Sequence, residues 1–586
     1  MPVPGTTLQS YRPLIQGTNG VVVSSHPSAS MAGLDILRRG GNAIDAGVAV
    51  GLALNIVHAD DCGFLGVAPT VIYLADRKEV TTIDGLGVWP KRASVEYFQR
   101  NHQGQLPGGI LRALTPASAD AWFTALAQYG TMSFSEVVAP AIALAEQGFP
   151  MYRYLAGRLR DAFDMYNRWP STAEIFLPGG RPPEVGEMFF QRDAAATLRR
   201  IVALEDANLA QGREKALMAA RDYVYKGELA ERIVSFYKSQ GGLLDEDDLS
   251  DYRVRIEPPV TVNYRGYDVY TCGPWCQGPV FPMALKILEG FDLRAMGHNS
   301  AEYVHTVTQA LNLAFADRER YIGDPAFVDV PMDALLSEAY LRQRRSLIDP
   351  DHAWPAMPPA GDPYKCRATL DGAPQSAREA VAVTGAAGEE GGGTSYFGVI
   401  DRSGNIFSCT PSEGMKNGGP IIPGTGFCLS LRGAQSRVEE GHPASIAPGK
   451  RPRLTPAPAQ VLREGQPVMA LGAHGGDHIP QGQLQLLLNV VEFGLDPQEA
   501  VEAPRFYSYS FPSSGSPPAY HPGVVRAEGR ISEDVFDALR QKGHTAERYP
   551  DWWEGSALYG VLIRNPRTGV LQGGADPRCE AYAVGY

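Results

Sequence analysis

Apolar positions along the chain change period several times, and each change marks an element. Ser28 to Arg39 carries apolar residues at helical spacing, with Ser28 as the expected N-cap and Gly40-Gly41 ending the run. Ile44 to Val57 is apolar nearly all round, which predicts a helix buried on every side. Pro69 to Ala75 and Val80 to Ile83 read as a strand pair around the charged turn Asp76-Arg77-Lys78. From about Leu111 to Arg345 helical patterns dominate, interrupted by a strand-like segment, Val260 to Thr271. Within that region Tyr303, Val307, Ala310 and Ala314 keep one helical face.

His352 to Glu390 breaks with this pattern. It is rich in Pro, Gly, Ala and Asp, has little periodicity, and is expected to be a mobile surface segment running up to residue 393. Order returns at Thr394. Thr394 to Ile400 predicts a strand, Asp401 to Asn405 a turn, and Ile406 to Thr410 the return strand. Ala459 to Leu462 and Val468 to Leu471 form a second pair, ending in Gly472-Ala473-His474-Gly475-Gly476 before a helix from Gln481 to Phe493. Tyr559 to Ile563 with Gly569 to Gln572 makes a last hairpin. Strands and helices in both halves predict a layered α/β (α+β) architecture, with no internal repeat.

Bulk properties narrow the field. At 586 residues the chain exceeds one ordinary core, so two or more packed units are expected. With 44% hydrophobic and 20% charged residues it reads as a soluble globular protein. The net charge of −12, without a basic cluster, argues against a nucleic-acid partner, because phosphate affinity comes from clustered Lys and Arg. The most apolar run, Ala46 to Val57, is too short to span a bilayer, and the first twenty residues lack the charged and apolar regions of a secretory signal. A cytoplasmic location without a membrane partner is the expectation. The seven cysteines are scattered, and Cys272 and Cys276 have neither a second pair nor nearby histidines. Reduced, packed thiols are therefore expected, and no metal or cofactor.

The chemistry-bearing feature is Gly391-Gly392-Gly393 meeting Thr394 at the head of a strand. Glycines admit backbone conformations closed to other residues. A threonine placed there can attack the carbonyl of Gly393; an N-to-O acyl shift and hydrolysis then leave Thr394 as a new N-terminus. Its α-amine, with an intrinsic pKa of about 7.7–8.0, can serve as base for its own hydroxyl. Gly475 and Gly476, ending a strand before a helix, can aim backbone N–H groups at a developing oxyanion. Taken alone, each pattern is more often a loop entering a strand or a plain turn.

Five segments carry a resemblance. They are His26 to Leu54 (HPSASMAGLDILRRGGNAIDAGVAVGLAL), Phe315 to Pro331 (FADRERYIGDPAFVDVP), Thr394 to Asn405 (TSYFGVIDRSGN), Ala503 to Phe506 (APRF) and the terminal ADPRCEAYAVGY. In content and order the chain resembles the γ-glutamyltransferases from about Gly20 to Tyr586, with Leu209 to Ala220 as an extra stretch. The resemblance implies a four-layer αββα sandwich of the N-terminal-nucleophile hydrolase type. It also implies one precursor cut between Gly393 and Thr394 into a large subunit, 1–393, and a small catalytic subunit, 394–586. The family's nucleophile matches Thr394, its second hydroxyl Ser412, and its oxyanion glycines Gly475 and Gly476.

The family's substrate contacts do not carry over. Where γ-glutamyl enzymes place the carboxylate-binding arginine of an Asp-Gly-Arg segment, this chain reads Asp84-Gly85-Leu86, and the ammonium-binding aspartate is Gln435. An Asn-Asn-Gln stretch becomes Ser430-Leu431-Arg432, a serine pair becomes Leu454-Thr455, and an asparagine becomes Gly414. Two lost charge partners for a zwitterion are worth about 2–5 kcal/mol each when desolvated. Such losses resemble the divergent, cephalosporin-acylase-like members, with Leu86, Trp89 and Leu454 lining a more apolar acyl pocket. Arg432 or Arg453 can then meet a substrate carboxylate, the alternative being ordinary surface ion pairs. His474 either touches substrate or is packed away. His58, Asp60 and Asp61 invite a metal, but as sequence neighbours at a helix end they read as a solvated cap.

The expected activity is therefore hydrolysis of a small-molecule amide, with water or an amine as acyl acceptor, in a two-subunit enzyme that can form homo-oligomers. A true γ-glutamyltransferase or glutathione hydrolase is the alternative, and a non-catalytic binding homologue the second.

Overall fold

The computed structural model describes residues 10–369, 393–413, 418–555 and 558–586. Among these residues two seven-stranded, largely antiparallel sheets form the centre. In spatial order the first runs Ile15–Gly17, Leu571–Ala575, Tyr559–Arg564, Gln466–Ala473, Ala459–Arg463, Tyr267–Thr271, Val260–Tyr264. The second runs Tyr582–Gly585, Gly20–Ser24, Phe397–Asp401, Ile406–Cys409, Thr70–Leu74, Glu79–Ile83, Ile256–Glu257.

Alternation along these strands sorts side chains into layers. Val21, Val23, Tyr73, Ile400, Ile406, Ala470 and Leu562 point between the sheets and form one cluster. Val22, Phe397, Val399 and Phe407 face the other way, onto helices Pro27–Arg38, Ala43–Val57 and Ser118–Tyr129. On the far side Val269, Val461, Met469 and Val561 pack under helices Val280–Leu288, Ala301–Tyr321 and His478–Val491. The result is the expected αββα sandwich. Both sheets draw strands from either side of residue 393, so the expected large and small subunits are interleaved rather than separate.

Local expectations hold with revisions. The helix Ala43–Val57 is buried along its whole length and starts from an Asn42 capping box with Asp45. The first helix begins at Pro27, and its cap is His26, whose ring accepts the Ser28 N–H at 3.2 Å, rather than Ser28. Proline at the first helical position moves the boundary, since it has no N–H to cap. Val260 to Thr271 is a hairpin, folded at Arg265 (φ 49°) and Gly266 (φ 85°), the paired positive φ that a tight two-residue turn requires. The strand expected over Thr394 to Ile400 is broken at Ser395-Tyr396, which frees Gly393–Thr394 to pair elsewhere.

The first part of the segment expected to be mobile is tied down. Gly361 donates to Asp317 at 2.9 Å, and Arg344 holds the carbonyls of Pro359 and Ala368 at 3.0 and 2.6 Å. Residues 370–392, including Gly391 and Gly392, lie outside the described residues, as does Gly414. The supposed extra stretch contributes buried Ala216, Leu217 and Ala220 to the helix Arg213–Tyr225. Among the described residues the seven cysteines form no disulfide, and five are buried. Among the described residues no helix is long and apolar enough to cross a membrane.

Candidate functional site

Strand Gly393–Thr394 pairs antiparallel with Ser412–Glu413, placing Thr394 opposite Ser412. Ser412 is fixed on its other side by reciprocal backbone bonds to Val67 of 2.8 and 2.9 Å. The two hydroxyls therefore meet, Thr394 Oγ1 to Ser412 Oγ at 2.8 Å, both buried. Arg432, on a short turn Arg432–Gln435, donates from Nη2 to Thr394 Oγ1 at 2.7 Å and also contacts Ser412 Oγ and the carbonyl of Gly393. Ser412 Oγ donates to that same carbonyl.

Facing this group, strand Gln466–Ala473 ends and the chain turns through Gly475 (φ 111°) and Gly476 (φ 61°) into helix His478–Val491. Positive φ at both positions is the reason glycine stands there. Among the described residues neither glycine N–H is engaged in a backbone hydrogen bond. The turn is anchored from below: Asp477 accepts from Arg318 and from Ser514 N at 2.7 Å, and Gln277 Nε2 donates to the Gly476 carbonyl at 3.0 Å. Thr394, His474 and Gly475 line one cavity of about 710 Å³.

The cavity has a charged wall and an aromatic wall. Asp61, Tyr154 and Arg158 make up the first, and His478, Tyr509, Phe511, Tyr549 and Trp553 the second. Burial pulls His478 down to about 4, so its ring is neutral at physiological pH. Tyr154 OH donates to Asp61 at 2.9 Å, Arg158 Nε lies 3.1 Å from Asp60, and His58 Nδ1 lies 2.5 Å from Ser395 Oγ. Burial, with Asp61 beside it, pushes the Tyr154 hydroxyl well above its usual range.

This corrects the expectation of a solvated cap at His58, Asp60 and Asp61. All three are buried, because the fully buried helix Ala43–Val57 ends inside the molecule, with Tyr152 OH donating to the Val57 carbonyl. Their ligand atoms lie within 4.8 Å of one another, near enough for a cation, but Arg158 already supplies positive charge there.

The expected substrate-contacting residues separate. Leu86 is fully buried in an apolar cluster with Val67, Val71, Trp275 and Leu454, while Trp89 packs apart against Phe98 and donates to Ser436 at 3.0 Å. Asp84 is pushed up to about 6 by burial, restrained by Arg451 at 2.9 Å. Gln435 and Thr455 hold each other, with Thr455 N donating to Gln435 Oε1 at 3.0 Å. Arg453 is neither at the surface nor at the cavity: its Nη2 lies 2.6 Å from buried Glu319, and burial lowers its pKa to about 10. Arg432 is likewise no surface residue, but it ends at Thr394. His474 borders the cavity and is 8% exposed.

Several residues of the site were not legible beforehand. Tyr154, Arg158 and the aromatic wall had no motif to mark them. Arg318 and Asp477 did, since Arg318 lies in the Phe315 to Pro331 segment and Asp477 follows the glycine pair.

Comparison with known proteins is consistent with this geometry. The family model described as gamma-glutamyltranspeptidase matches residues 29–586. The acylase ACY 1 proenzyme of Pseudomonas sp. (strain SE83) is 34% identical over 584 residues, covering 97% of this chain and 94% of that one. The glutathione hydrolase-like YwrD proenzyme of Bacillus subtilis (strain 168) is 32% identical, covering 97% of this chain and 99% of its own. The crystal structure of cephalosporin acylase from Bacillus halodurans superposes with a TM-score of 0.85 at 29% identity, over 100% of this chain and 99% of that one.

Proposed function

Since this chain belongs to the gamma-glutamyltranspeptidase family, we propose that it is a self-processed amide hydrolase whose nucleophile is Thr394 and whose acyl group is not γ-glutamyl. Cleavage between Gly393 and Thr394 makes a large subunit, 1–393, and a small subunit, 394–586, held together by their shared sheets. The observation that carries the reading is the 2.8 Å contact of Thr394 Oγ1 with Ser412 Oγ at the edge of a cavity that Gly475 also lines.

The chemistry follows from that arrangement. The freed α-amine of Thr394 takes the proton of its own hydroxyl, and Oγ1 attacks the substrate carbonyl. Gly475 and Gly476 N–H groups receive the negative charge that develops on the carbonyl oxygen. The amine leaves with a proton, and water or a second amine releases the acyl group from the ester. Ser412 holds Oγ1 in line. The two positions at which the family holds a γ-glutamyl α-carboxylate and α-ammonium are lost to that role here, because Leu86 is packed among apolar residues and Gln435 is bonded to Thr455. The aromatic wall of Tyr509, Tyr549 and Trp553 suits a bulkier apolar or aromatic flank of the amide.

Intact mass of the purified protein tests the reading. Two associated fragments ending at Gly393 and beginning at Thr394 are expected, and Thr394→Ala should stay whole and inactive on acyl anilides. A full-length wild type that hydrolyses amides at an ordinary enzymatic rate would overturn it. A whole and inert wild type would favour a binding homologue.

A further inference from the structure

Arg432 is buried, and its Nη2 converges on three oxygens: the hydroxyl of Thr394 at 2.7 Å, the hydroxyl of Ser412 and the carbonyl of Gly393. The last of these matters most. When Thr394 Oγ1 attacks the carbonyl carbon of Gly393, that carbonyl oxygen is the atom that becomes an oxyanion. A fixed guanidinium N–H donating to it gains strength as the charge grows, so it lowers the barrier rather than only binding the ground state. Gly475 belongs to the cavity side, where a substrate carbonyl would sit; the scissile carbonyl of the chain itself faces Arg432 instead.

We propose that Arg432 is a catalytic residue of the self-cleavage, the electrophile that polarises the Gly393 carbonyl, and not a reader of substrate carboxylates. This rests on the Gly393–Thr394 cut proposed above. The step balances within the chain. The Oγ1–C bond forms and the C–N bond breaks, while the hydroxyl proton of Thr394 passes to its own nitrogen. Ser412 Oγ, in contact with both oxygens, holds them in line for the attack. Water then cleaves the ester, leaving a Gly393 carboxylate and the Thr394 hydroxyl and ammonium. The new carboxylate forms beside a guanidinium, which also favours the products.

The test follows freshly translated full-length precursor by denaturing electrophoresis over time, for wild type, Thr394→Ala, Arg432→Gln and Arg432→Lys. Wild type should cut and Thr394→Ala should not. Arg432→Gln should cut at least about a hundredfold more slowly, as loss of an oxyanion donor does elsewhere, with Arg432→Lys faster than Gln because it keeps the charge. Ethylguanidine added to Arg432→Ala should restore part of the rate. Equal rates for the Lys and Gln variants, whether both fast or both nil, would overturn the proposal, as would a Gln variant within threefold of wild type. A wild type that never cuts would instead reject the premise about Thr394, so the two failures are distinct.

Discussion

Thr394 Oγ1 stands 2.8 Å from Ser412 Oγ, and that separation is a product of register: the short strand Gly393–Thr394 pairs with Ser412–Glu413 so that the two residues lie directly opposite. Cross-strand partners have Cβ atoms about 4.5–5.5 Å apart, which two short hydroxyl side chains can bridge. A slip of one residue would turn one hydroxyl to the other face and dissolve the pair.

Ser412→Ala should therefore slow both self-cleavage and turnover. Loss of one buried hydroxyl contact costs on the order of 1–3 kcal/mol, or roughly ten- to hundredfold in rate. The fold should persist, since Ser412 is held by its backbone bonds to Val67. Pre-steady-state cleavage and kcat measured on the same preparation check this; unchanged kinetics would remove Ser412 from the mechanism.

γ-Glutamyl compounds should be poor substrates. With Leu86 withdrawn into an apolar cluster and Gln435 bonded to Thr455, a zwitterion entering the site gives up water without regaining the charge partners of those two family positions. Comparing kcat/KM for γ-glutamyl-p-nitroanilide with glutaryl and short acyl anilides decides it. A clear advantage for the γ-glutamyl compound restores the transferase reading.

Arg453→Met should act on stability and leave substrate affinity alone. Its guanidinium is buried against Glu319, and removing one partner of a buried pair costs about 3–5 kcal/mol. A fall in Tm with unchanged KM for a carboxylate-bearing acyl anilide is the expected outcome. A raised KM at unchanged Tm would return Arg453 to the substrate site.

Acid should loosen the joint between the APRF segment and the C-terminal one. Asp576 is fully buried; burial alone would raise its pKa, but the charges of Arg505 and Arg578 hold it down to about 2. Because the folded value lies below the unfolded one, its stabilisation is complete above about pH 4. It is lost as pH falls through about 2. The amount is on the order of 2 kcal/mol. Urea unfolding of wild type and Asp576→Asn across pH 2–6 should show a gap that narrows toward acid. A gap independent of pH would refute the linkage.

Much of this protein is determined by the sequence alone. An apolar run without a polar face, Ile44 to Val57, calls for a buried helix, and a glycine run meeting Thr394 gives the backbone freedom that the proposed cut needs. These are local properties, governed by period and by the freedom of individual residues. The tertiary structure decided what no local property encodes: which buried charge meets which oxygen. Arg432 and Arg453 lie 21 residues apart with equal claims to a carboxylate, yet one ends at Thr394 and the other at Glu319. Asp60 and Asp61 look like a solvated helix end and are instead buried, Asp61 at the cavity. The reason is physical: pairing across 38 or 134 residues of chain is set by sheet register and helix docking, which depend on the whole packed core.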